Sequence, residues 1–67
     1  MPIIHVTLVQ GRDEQKVQAF IRAVARAAHE QLDAPMQTIR VMVNEVPPAR
    51  FAVGDVLKSD PPSGASA

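Results

Sequence analysis

Residues 13–35, DEQKVQAFIRAVARAAHEQLDAP, decide the fold of this chain. Apolar side chains fall at Val17, Phe20, Ile21, Val24, Ala28 and Leu32. Those steps of three and four trace one stripe along an α-helix. Ala19, Ala23, Ala25 and Ala27 raise helix propensity between them. Asp13 suits the N-cap, and Glu14 suits the positive end of the helix dipole. Pro35 ends the run, because it disfavours helical geometry at Ala34 and donates no backbone hydrogen bond. A helix is therefore expected up to about Leu32, with Phe20 on its core-facing stripe.

The flanks read differently. Residues 2–9, PIIHVTLV, are rich in β-branched types. As a strand they place Ile4, Val6 and Leu8 on one face and Ile3, His5, Thr7 and Val9 on the other. Apolar residues on both faces mark a strand covered on both sides. Residues 38–46, TIRVMVNEV, form a second such segment, with Ile39, Val41 and Val43 opposite Arg40, Met42 and Asn44. Two strands joined by one long helix predict a right-handed βαβ unit with parallel strands. Pro47-Pro48 breaks the second strand, and Arg50 to Asp55 reads as a short extended piece or turn. From Lys58 the sequence KSDPPSGASA is polar, small and Pro-rich. The expected organisation is one domain over 2–57 and a tail over 58–67 that is disordered or draped on a neighbour.

At 67 residues a chain buries only about 60% of the surface it exposes when unfolded. Small domains compensate with disulfides, metals or association. There is no cysteine and only two histidines, far apart in sequence, so no disulfide, metal or other cofactor is expected. One helix covers one sheet face, which leaves Ile3, Val9 and Met42 on the other. An uncovered apolar patch of that kind is an interface, and a self-assembled oligomer is the expected folded unit. Seven basic residues balance seven acidic ones, so no basic stripe points to nucleic acid. No apolar run is long enough to span a bilayer, and no signal peptide is evident. The cytoplasm is the compartment these features suggest.

The candidate chemistry begins at Met1-Pro2. Aminopeptidases remove an initiator methionine ahead of proline, which would leave Pro2 with a free secondary amine, a good base and nucleophile. Alone, a Met-Pro start means little. Arg40 adds weight, because an arginine within an apolar strand is unfavourable unless it has a partner or a task. Arg12 alone reads as a solvent-facing residue at the helix start, and Phe51 serves equally as packing or as an apolar wall. His5 has no acidic or histidine neighbour at useful spacing and reads as an interface or solvated histidine. His29 reads as surface, and Met36 and Met42 as gap-filling residues.

Taken together, Pro2-Ile3, Gly11-Arg12, Asp13 to Lys16, Leu32 to Pro35, Ile39-Arg40-Val41, Glu45, Phe51 and Gly54 resemble the 4-oxalocrotonate tautomerases, also called 2-hydroxymuconate tautomerases, of the tautomerase superfamily. The resemblance covers roughly residues 2–54. It implies an α/β (α+β) fold: a β-α-β monomer with a short hairpin near the C-terminus. Such monomers join sheets into dimers and commonly assemble as a hexamer, with each site built from more than one subunit. Pro2 would be the catalytic base, taking a proton from a dienol and returning it to a different carbon. Arg12 and Arg40 would bind the carboxylate and adjacent oxygen of a small anionic oxo- or hydroxy-acid, an oxo-dicarboxylate, with Arg40 also serving catalysis, and Phe51 would form an apolar wall. Two further roles lie within reach of the resemblance. One is a hydratase or dehalogenase of unsaturated acids, with Pro2 as general acid and Glu45 activating water. The other is a non-catalytic subunit of a hetero-oligomer. Ala52 stands where relatives often carry glycine, and Gly54 is followed by Asp55 and not by a second glycine.

Elementary chemistry supports the base role. A proton shuttle works best with a pKa near ambient pH, whereas a free α-amino group lies at roughly 7.7–8.0. Desolvation beside a phenyl ring and a nearby guanidinium both disfavour the ammonium form. The same guanidinium offers forked donors to a carboxylate and to the negative charge developing on an enolate.

Overall fold

The computed structural model describes residues 1–61. Strand β1 (Ile3–Val9) leads to helix α1 (Glu14–Leu32), a 3₁₀ turn (Met36–Thr38) and strand β2 (Arg40–Val46). A second 3₁₀ turn (Pro48–Arg50) precedes the short strands β3 (Ala52–Val53) and β4 (Val56–Leu57). β1 and β2 are parallel, in a register that runs from Ile3 opposite Arg40 to Val9 opposite Val46. The expected β-α-β unit with a C-terminal hairpin is the observed fold. Among the described residues no helix is long and apolar enough to cross a membrane.

Local chemistry explains the boundaries. Asp13 takes extended geometry at the N-cap, but its side chain makes no capping bond. Its carbonyl instead accepts the Lys16 and Val17 N–H groups at 3.0 and 3.1 Å. At the other end Asp33 adopts the left-handed conformation (φ 55°) that closes a helix. Pro35 then opens the 3₁₀ turn, whose Thr38 hydroxyl donates to the Pro35 carbonyl at 2.8 Å. That turn consumes Thr38, so β2 starts at Arg40, two residues later than the sequence pattern suggests. In the hairpin, Gly54 has φ 63° while Asp55 stays at negative φ. Positive φ at the first central residue alone is a type II′ turn, which suits the twist of a two-residue loop. The second glycine missing from the resemblance is not needed.

Helix α1 lies on the face of the sheet carrying Ile4, Val6 and Leu8 and sits nearest β2. The buried core is thin. Val17, Ala28 and Ile39 are its members, and no large side chain among the described residues is fully enclosed. Phe20 departs from expectation: at 40% exposed it is not core. With α1 displaced toward β2, the side of the helix facing the outer edge of β1 stays open, and Phe20 lies there.

On the opposite face Ile3 and Met42 are exposed, as are Val53, Val56 and Leu57 of the hairpin. Val9, expected on that open patch, is half-buried at the end of the ladder. These exposed side chains give the single chain an apolar surface that its one helix does not cover.

At the C-terminal side the Lys58 N–H donates to the Phe51 carbonyl (2.8 Å), and the Asp60 N–H to the Leu57 carbonyl (2.9 Å). The Asp60 carboxylate accepts the Leu57 N–H in return (2.8 Å). The expected tail of 58–67 lies, over residues 62–67, outside the described residues.

Candidate active site

Pro2 is half-buried immediately before β1. Its carbonyl accepts the backbone N–H of Arg40 at 3.0 Å, which ties the first residue of β2 to the start of β1. A proline nitrogen carries no N–H for a ladder, so the sheet engages Pro2 through its oxygen only. Met1, one residue upstream, is 75% exposed.

Arg40 departs from the expectation of an arginine in the middle of an apolar strand. It opens β2 and is exposed, so it is not an arginine within a buried strand. One terminal nitrogen, Nη1, donates to the Gln37 carbonyl at 2.9 Å and to the Ile39 carbonyl at 3.2 Å. The guanidinium is thus curled over the preceding 3₁₀ turn. Its Nε and Nη2 donors make no hydrogen bond among the described residues.

Arg12 lies at the opposite end of β1, where its Nη1 donates to the Val9 carbonyl at 3.1 Å. A strand rises about 3.3 Å per residue, so Pro2 and this anchored guanidinium stand roughly 20 Å apart in one chain. Phe51 follows the C-terminal end of β2 through the Pro48–Arg50 turn. It is half-buried, with its N–H donated to the Pro48 carbonyl at 3.3 Å and its carbonyl accepting from Lys58. Glu45 is half-buried opposite Leu8, five residues along β2 from Arg40 and on the other sheet face. One chain therefore joins Pro2 to Arg40, and leaves Arg12, Phe51 and Glu45 toward the far end of the strands.

A cavity of about 360 Å³ opens at that far end, lined by Leu8, Arg12, Lys16, Val17 and Phe20. The sequence reading did not single out Lys16, which looks like an ordinary solvated residue of a first helical turn. The signal lay in the spacing: Arg12, Lys16 and Phe20 recur every four residues, which stacks them on one side of a helix and its lead-in.

A family model described as Tautomerase enzyme matches residues 2–61. A 2-hydroxymuconate tautomerase of Pseudomonas putida is 34% identical over 59 residues, covering 88% of this chain and 94% of the relative. Among solved structures, TomN, a 4-oxalocrotonate tautomerase homologue in the tomaymycin biosynthetic pathway, is 45% identical with a TM-score of 0.81, covering 87% of this chain and 89% of its own. A heterohexameric 4-oxalocrotonate tautomerase from Chloroflexus aurantiacus is 28% identical with a TM-score of 0.82, covering 90% and 97%. With the β-α-β architecture and a match that spans nearly the whole chain, the conclusion is direct: this protein belongs to the 4-oxalocrotonate tautomerase family and is an isomerase of the keto–enol class.

Proposed function

We propose that the chain moves a proton on a 2-hydroxy-dienoate or related 2-oxo acid such as 2-hydroxymuconate, without a cofactor, using the amine of Pro2 as base. The observation that carries this reading is the tie between Pro2 and Arg40. A 3.0 Å ladder bond from the Arg40 backbone N–H to the Pro2 carbonyl brings the two residues, a candidate base and a candidate anion-binding arginine, to one end of the sheet. Once Met1 is removed, the Pro2 nitrogen takes the enol proton of the bound dienol and returns it to a carbon of the conjugated system. Arg40 holds the carboxylate and the oxygen that becomes the ketone, so its charge offsets the negative charge developing there. Positive charge nearby also favours the neutral, basic form of the amine.

Arg12 and Phe51 then come from a neighbouring copy, because one chain cannot bring Arg12 to Pro2. The uncovered sheet face and hairpin supply the surface for that assembly. A dimer-based hexamer of this chain is the arrangement we assign; the second reading, in which a different chain takes part, has its parallel in the heterohexamer of Chloroflexus aurantiacus. The Pseudomonas relative is named for 2-hydroxymuconate, which makes that dienol the first substrate to test and aromatic-compound degradation in the cytoplasm the proposed setting.

The test combines mass and rate. Intact-protein mass spectrometry should find Met1 absent. Pro2→Ala should nearly abolish ketonisation of 2-hydroxymuconate while the assembly, followed by sedimentation, stays intact. Unchanged turnover in that variant defeats the proposal, and so does a retained Met1 in the active protein, since an acylated proline nitrogen has no basicity. Titration of the Pro2 amine separates base from acid: a pKa well above neutral would favour hydration or dehalogenation chemistry.

A further inference from the structure

The cavity beside α1 holds two cations and no acid. Arg12 and Lys16 contribute the charge, while Leu8, Val17 and Phe20 contribute an apolar bed. Glu14, two residues before Lys16, turns its carboxylate to the Gln18 amide at 3.0 Å. Its charge is thus engaged along the 14–18 side of the helix, and the 12–16–20 side is left to the cations. Arg12 is fixed at the rim by its bond to the Val9 carbonyl. That bond points the guanidinium without consuming its other donors. Phe20, though part of the helix's apolar stripe, stays exposed in this lining.

We infer that Lys16 is a specificity-determining residue, which selects substrates carrying a second anionic group on an apolar stem. This inference rests on the tautomerase reading given above and on the neighbouring-subunit role of Arg12. Arg12 alone offers a carboxylate one planar fork. Lys16, one helical turn further on, adds a mobile point charge that follows the stem deeper over Leu8, Val17 and Phe20. A planar, conjugated hydrocarbon stem matches that bed, because burial against it needs no polar partner. A short monocarboxylate leaves the cavity filled with water and gains nothing from Lys16.

The experiment compares two dienols that share the reacting end, 2-hydroxymuconate and 2-hydroxypenta-2,4-dienoate, the second lacking the far carboxylate. Lys16→Gln should lower the ratio of kcat/KM for the first over the second about tenfold, through KM and not kcat, and Lys16→Arg should restore most of it. An unchanged ratio, or an equal loss for both dienols, overturns the inference. So does dissociation of the Lys16→Gln assembly at matched protein concentration, which would make Lys16 a subunit contact. If the native protein turns over neither dienol, the tautomerase reading has failed by itself. Titration of the assembled protein with cis,cis-muconate, a dicarboxylate lacking the enol, then decides the inference separately. Tenfold weaker binding to the Lys16→Gln protein sustains it, and equal binding removes it.

Discussion

If Pro2 and Arg12 serve one site from different chains, two crippled proteins should repair each other. The perturbation is Pro2→Ala in one preparation and Arg12→Ala in another, unfolded together in equal amounts and refolded. The magnitude follows from the geometry. The strand between the two residues spans roughly 20 Å, and the Arg12 guanidinium is held at its far end by the Val9 carbonyl, so no single chain can complete the pair. Half of the chains in the mixture carry each native residue. Random assortment within a symmetric assembly makes about one site in four fully native. Loss of one charge-assisted hydrogen bond to the substrate removes about 1.5–3 kcal/mol, so the Arg12→Ala parent should retain only a few per cent of native activity, and the Pro2→Ala parent less. The assay is the initial rate of 2-hydroxymuconate ketonisation at substrate well below KM, with mixed assembly verified by native mass spectrometry. The expected rate is about a quarter of native per site, well above either parent. A mixed assembly no faster than the mean of its parents would refute the reasoning and require both residues to act within one chain.

Three further outcomes concern the scaffold. Met42→Asp puts a charge on the open sheet face, where Met42 is 44% exposed in the single chain; sedimentation should find smaller species than native, and an unchanged assembly would assign the interface elsewhere. Gly54→Ala forces a side chain into left-handed geometry at φ 63°. It should destabilise the hairpin by about 1–2 kcal/mol, read by thermal denaturation; a melting temperature at or above native would contradict the II′ assignment. Val17→Ala removes two methyl-sized groups from a position only 6% exposed, which amounts to about 1.6 kcal/mol at roughly 0.8 per buried carbon. Denaturant unfolding measures it, and a loss below half that would mean Val17 is not central to the core.

The helix and both strands were legible because their periodicities are distinct: steps of three and four over 17–32, and alternation on either side. The start of β2 was not. Nothing in the pattern of Thr38-Ile39-Arg40 betrays that the Thr38 hydroxyl closes a 3₁₀ turn onto Pro35, which moves Arg40 from within a strand to its exposed edge. Phe20 was misread for a related reason. Periodicity reveals which side of a helix is apolar, but not that α1 sits nearest β2 and leaves one margin of that side open. At the site, residue types pointed to Pro2 and Arg40, the family resemblance added Arg12 and Phe51, and the length of the first strand already set Arg12 apart from Pro2. Lys16 was passed over because a lysine in a first turn looks solvated until its four-residue spacing from Arg12 and Phe20 is set beside the cavity all three line.

The one-sided attachment of Pro2 has a consequence for how this terminus can change. Because the sheet grips the residue by its oxygen, the nitrogen is a bystander to folding. Removal of Met1, or protonation of the nitrogen so freed, breaks no backbone hydrogen bond of the sheet. The hydrogen bond that docks this terminus on the sheet is thereby independent of the chemical state of its nitrogen.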